Sequence, residues 1–123
     1  NNYGIFGSFF LKAKERVQKD LILTVSKKEK FVTHCTAGNL SYVGMEDGSL
    51  KPCEILKDKI GNFSDKKNIN ELYDSKEAIN LRKFITNTKC KCTYECAMTT
   101  NTLFNGDMFV KVIKQTAKDI FKR

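Results

Sequence analysis

Three thiols stand within seven residues in the stretch Cys90-Lys91-Cys92-Thr93-Tyr94-Glu95-Cys96, and two more lie upstream at Cys35 and Cys53. The upstream pair brackets C-T-A-G-N-L-S-Y-V-G-M-E-D-G-S-L-K-P-C, in which twelve residues separate Cys35 from Gly48 and four separate Gly48 from Cys53. Thiolate is a soft ligand, suited to zinc and to iron–sulfur cores. Two thiol-bearing segments far apart in sequence, each beside turn-forming residues, predict one metal centre closed by tertiary folding. The candidate ligands are Cys35, Cys53, Cys90, Cys92 and Cys96. Full pairing as disulfides would leave one of five thiols over, and no export signal points to an oxidising compartment. Metal ligation in a reducing cytoplasm is therefore the expectation. C-x2-C zinc knuckles are absent, and His34, the only histidine, is expected to be a surface or packing residue. Spacing alone leaves zinc and iron–sulfur both open.

The elements that must position these thiols can be read from patterning. Phe10, Ala13, Val17 and Leu21 recur at helical spacing, with Lys12, Glu15, Arg16 and Lys19 elsewhere, so a helix begins near Phe9 with Ser8 as its cap. Residues 21–25 either prolong it or start a strand. Residues 40–51 read as a hairpin turning at Glu46-Asp47-Gly48-Ser49, with Gly48 supplying a positive φ. A chain that doubles back there brings Cys35 and Cys53 together, and Pro52, lacking an N–H, suits the strand end.

Ile60-Gly61-Asn62-Phe63 is expected as a second tight turn and residues 64–67 as a polar loop. Asn68 can cap a short helix over 69–73, and Asp74 or Ser75 a longer one to about Thr86. Residues 87–89 form a loop delivering Cys90. Thr99 to Thr102 reads as a polar break and Asn105-Gly106-Asp107 as a turn. Phe109, Val110, Ile113, Ala117, Ile120 and Phe121 then form the apolar face of a last amphipathic helix. Gly38, Gly48 and Gly61 could bring backbone N–H groups close to sulfur.

Composition narrows the function classes. The 123 residues carry a formal charge of +8, yet only three of the 22 basic residues are Arg, and the lysines are scattered. Bidentate recognition of phosphates and bases favours Arg, so nucleic-acid binding is not expected. The longest strongly apolar run, residues 21–25, is far short of the roughly 20 residues a membrane span needs. No paired catalytic carboxylates, phosphate loop or Ser/His/Asp arrangement is present. The opening Asn1-Asn2-Tyr3, without Met, reads as the start of a fragment or processed product.

The combination C-T-A-G…D-G-S-L-K-P-C, then I-G-N-F, then E-L-Y-D-S…L-R-K-F, then C-K-C-T-Y-E-C resembles the auxiliary-cluster domain of radical S-adenosylmethionine enzymes. That domain is called SPASM, or twitch in its shortened form, and the resemblance covers about residues 35–104. It implies an α+β fold, a small β-hairpin flanked by helices, lying C-terminal to a partial (β/α) barrel in the parent enzyme. It implies one auxiliary [4Fe–4S] cluster held by Cys35, Cys53 and Cys96, with Cys90 or Cys92 as the fourth thiolate. The full two-cluster pattern has seven cysteines and this chain has five, hence one cluster. The C-x3-C-x2-C signature for cleaving S-adenosylmethionine is missing, so cleavage belongs to the parent and the chain is not catalytic alone. The organisation that follows is a helical barrel tail over 1–30, the cluster domain over 31–104 and a C-terminal helix over 105–123. The partners implied are the barrel of the parent chain and a peptide or other substrate; the alternative is a small zinc module mediating protein contacts.

Overall fold

The computed structural model describes residues 4–65 and 68–122. The opening Asn1-Asn2-Tyr3 and the Lys66-Lys67 part of the polar loop lie outside the described residues. The fold is α+β, with helices α1 (Gly4–Lys28), α2 (Ile69–Tyr73), α3 (Lys76–Asn87), α4 (Glu95–Phe104) and α5 (Gly106–Phe121). Short strands β1 (Val43–Gly44), β2 (Ser49–Lys51) and β3 (Gly61–Asn62) form one antiparallel sheet in the order β1-β2-β3. The chain divides into two compact units, one from residues 35–90 and one from the two chain ends, up to 34 and from 91.

In the helical unit, α1, α4 and α5 pack pairwise. Ala13, Val17, Leu21 and Val25 recur every fourth residue and are buried, so the stripe read from the sequence continues one turn further and residues 21–25 are helix. Ser8 lies inside α1, which begins at Gly4. Lys27 and Lys28 occupy the last turn, where cations suit the helix dipole, and Glu29 ends it in a left-handed conformation, φ 46°. Met98, Met108 and Val112 complete the core, with Phe10 packed on it.

The expected polar break at Thr99 to Thr102 is instead the middle of α4. Thr99 Oγ1 donates to Glu95 O (3.0 Å) and Thr100 Oγ1 to Cys96 O (3.2 Å), so these hydroxyls are satisfied one turn back within the helix. Gln18, buried on α1, donates from Nε2 to Glu95 O (3.2 Å). Tertiary packing of Met98 and Thr102 overrides weak local propensity here. The expected turn at Asn105 shrinks to a single joint, since Asn105 flanks both α4 and α5. Its Nδ2 donates to His34 O (2.7 Å) and Asn101 O (3.1 Å). On α5 the buried residues are Met108 and Val112. Phe109, Val110 and Ile113, expected on the buried face, are 41%, 50% and 47% exposed, because α1 and α4 meet the neighbouring stripe.

In the sheet unit the hairpin forms as read. Val43 pairs with Lys51 and Gly44 with Leu50, around a turn in which Gly48 has φ +78°. Ser49 N and Oγ donate to Asp47 Oδ1 (2.9 and 2.6 Å), and Lys59 Nζ donates to Asp47 Oδ2 (2.7 Å). These three donors hold the Asp47 carboxyl well below the usual carboxylate range, the Lys59 hydrogen bond contributing most.

The second expected turn is a strand, with Ser49 facing Asn62 and Leu50 facing Gly61. Gly61 permits this: a Cβ there would stand 2.6 Å from Leu72 Cδ2. Leu50, Ile60, Leu72 and Ala78 form the core beneath the sheet. Asn68 Oδ1 accepts from Glu71 N (3.1 Å) to cap α2, and Ser75 Oγ accepts from Ala78 N (3.2 Å) to cap α3.

Candidate metal centre

The segments carrying Cys35, Cys53 and Cys90 all belong to the sheet unit, whereas Cys92 and Cys96 belong to the helical unit. Beyond Cys35 the chain turns tightly: Asn39 N and Leu40 N donate to Thr36 O (3.1 and 2.9 Å), and Gly38 N donates to Ser41 O (2.9 Å). Gly38 has φ +76°, a left-handed conformation that costs an L side chain about 1–2 kcal/mol. A Cβ at Gly38 would stand 3.3 Å from Pro52 Cβ, 3.5 Å from Arg82 Cγ and 3.7 Å from Ile85 Cδ1. The loop after Cys35 therefore lies directly on the fully buried residue preceding Cys53 and on the last turns of α3.

That last turn delivers Cys90. Lys89 N donates to Thr86 O (3.2 Å) and Cys90 N to Ile85 O (3.0 Å), with Lys89 at φ 50°. This pair of bonds is a Schellman motif, which folds the residue after the left-handed position back onto the helix. Cys90 is thus tied to Ile85, and Ile85 meets Gly38. Three thiol-bearing segments share one packing point, at Gly38, Pro52 and Ile85.

Arg82 locks the same place. Its Nη1 donates to Tyr73 O (2.8 Å), to Tyr42 Oη (3.3 Å) and to Gly38 O (3.5 Å), and its guanidinium lies 4.2 Å from the centroid of the Tyr73 ring. Tyr42 Oη donates to Gly38 O. Burial pushes the Tyr42 phenol up, against the opposing hydrogen bond from Arg82. The Tyr42–Arg82–Tyr73 grouping draws on the residue before β1, on α3 and on α2, and no local spacing announces it.

Cys53 Sγ accepts a hydrogen bond from Leu56 N (3.4 Å), and N–H donors to sulfur tune a bound centre. The glycines do not serve in this way: Gly38 N and Gly48 N donate to Ser41 O and Met45 O, and Gly61 is in the strand ladder with Leu50. Cys35, Cys53 and Cys90 are half-buried. Cys92 is half-buried against the Val17, Leu21 and Met98 core, and Cys96 is exposed in the first turn of α4. His34 is exposed, its ring edge-on to Phe31 at 5.2 Å.

The all-sulfur donor set suits a soft metal. Among the described residues, however, no three Cys, His, Asp or Glu side chains gather closely enough to hold an ion. What meets is Gly38 with the side chains of Pro52 and Ile85, on the segments that lead to or from Cys35, Cys53 and Cys90. Comparison of the chain with protein-family models, curated proteins and solved structures finds no match.

Proposed function

We propose that this chain is an auxiliary cluster-binding module of the SPASM/twitch kind, serving a radical S-adenosylmethionine enzyme whose catalytic barrel lies elsewhere in the parent. The observation that carries the reading is the meeting of the segments bearing Cys35, Cys53 and Cys90 at Gly38, Pro52 and Ile85. The hairpin between Cys35 and Cys53 and the helix leading to Cys90 are the elements the resemblance asks for. The N–H···S bond at Cys53 is the kind of contact that supports a thiolate ligand. Cys35, Cys53, Cys90, Cys92 and Cys96 are the ligand candidates, with Cys96 matching the late cysteine of the family pattern.

A bound [4Fe–4S] cluster would supply one-electron redox chemistry. This chain's residues contribute thiolates, and Cys53 additionally holds an N–H donor on sulfur. A centre ligated by four thiolates has no open iron position, which favours electron relay or support of a bound peptide over direct substrate ligation. The cytoplasm is the compartment the proposal requires, because thiols stay reduced there. Among the described residues no helix is long and apolar enough to cross a membrane.

Anaerobic reconstitution with iron and sulfide, followed by metal and sulfide analysis and electron paramagnetic resonance of the reduced protein, tests the reading. About four irons and four sulfides per chain are expected. Zinc at one equivalent with no sulfide would replace it with the zinc-module reading, since an all-thiolate set serves that metal equally.

A further inference from the structure

The helical unit contains a cleft between α1 and α5 of about 300 Å³, which the proposed metal chemistry does not use. Its apolar surface comes from Val17 and Leu21 on α1, from Met108 on α5 and from Val32. Val17, Leu21 and Met108 belong to the buried core, and Val32 packs on it, so the floor is apolar. On the α5 side, where apolar residues would close the seam, stand Lys111, Lys114 and Lys118. They are spaced by three and four residues and so share a helix face.

Among the described residues none of these three lysines pairs with a carboxylate, and Lys111 Nζ instead lies 3.6 Å from Met108 Sδ, over the apolar floor. Asp20 is the one acidic residue in the lining, leaving an excess of two positive charges. Unpaired ammonium groups beside apolar surface are complementary to a molecule that is apolar at one end and anionic at the other.

The volume selects among such molecules. About 300 Å³ lies at the small end of ligand pockets. It suits one short chain. We infer that the cleft binds a free medium-chain acyl carboxylate, its tail over Val17, Leu21, Val32 and Met108 and its carboxylate at Lys111, Lys114 and Lys118. The inference is independent of the metal.

Titration of the full chain with decanoate below its micelle concentration tests this, by calorimetry and by the methyl resonance of Met108. Saturable one-to-one binding that shifts Met108 is expected. Decanol, which lacks the charge, and acetate, which lacks the tail, should each bind at least tenfold more weakly. The variant K114A/K118A should weaken decanoate at least tenfold; both side chains are exposed, so the fold should be unaffected. Absence of saturable binding, an unmoved Met108 resonance, equal affinity for decanol, or equal affinity of K114A/K118A would each overturn the inference.

Discussion

Replacing Gly38 by Ala probes the point where the three thiol-bearing segments meet. At φ +76° an L side chain costs about 1–2 kcal/mol. The added Cβ would stand 3.3 Å from Pro52 Cβ, closer than ordinary contact, and Pro52 is fully buried and has no rotamer to yield. Overpacking of this mildness adds up to about 1 kcal/mol. Against these stands the lower entropy of the unfolded alanine chain, about 0.4–1 kcal/mol in favour of the variant.

The net is a loss of about 1–2 kcal/mol, or roughly five- to thirtyfold in the folded-to-unfolded ratio. The chain has no Trp, so urea unfolding is followed by tyrosine fluorescence, with Tyr42 and Tyr73 reporting on the sheet unit. Amide exchange at Cys90 N, which is bonded to Ile85 O, and at Leu56 N, which is bonded to Cys53 Sγ, should accelerate together. A change below about 0.3 kcal/mol, or exchange that accelerates at one amide and not the other, would refute the claim that Gly38 fastens these segments to one another.

Lys89 in the left-handed cap of α3 makes the opposite test: Lys89→Gly removes backbone strain and should stabilise by about 0.5–1 kcal/mol in thermal or urea unfolding. Leu72→Ala, at the centre of the sheet unit's core, should cost about 2–5 kcal/mol by the same measurement. Asp47 predicts a pH dependence. Its folded-state pKa lies below the unfolded value near 3.9, so its contribution is fully present above that value and is lost as pH falls through the folded one. Asp47→Asn should flatten that limb of an acid-unfolding series, and an unchanged limb would mean the Lys59 and Ser49 contacts do not persist in solution.

What was legible in the sequence was what local pattern encodes. The Ala13-Val17-Leu21 stripe, the Asp47-Gly48 turn, and the Asn68 and Ser75 caps each announce themselves within one or two turns of chain, and each stands in the structure. Tertiary choices escaped. Helix α4 runs through Thr99 to Thr102 because the Thr99 and Thr100 hydroxyls bond back into the helix and Gln18 reaches across from α1, some eighty residues distant. The Schellman cap before Cys90 was hidden because a lysine occupies the left-handed position where glycine would signal it. Strand β3 reads as a turn until Leu72 is known to lie on Gly61. At the thiols, the hairpin that brings the segments after Cys35 and before Cys53 together was visible, while the part of Arg82 in joining Gly38, Tyr42 and Tyr73 was not.

The division of the cysteines between the two units bears on what a metal would do. The sheet unit buries Leu50, Ile60, Leu72 and Ala78 as its core cluster, and small folds with few buried side chains lean on metals or other crosslinks for stability. Gly38, Gly48 and Lys89 hold left-handed conformations in that unit, two of them beside thiol-bearing segments. Such geometry persists where the surroundings over-determine it. Arg82 supplies part of that constraint, through Gly38 O, Tyr42 and Tyr73. Thiolate ligation at Cys35, Cys53 and Cys90 would act on the same three segments. On the proposed function, metal and Arg82 therefore stabilise one arrangement redundantly. Arg82→Ala should destabilise the metal-free chain more than the reconstituted one, and an equal loss in both would separate the packing point from the metal.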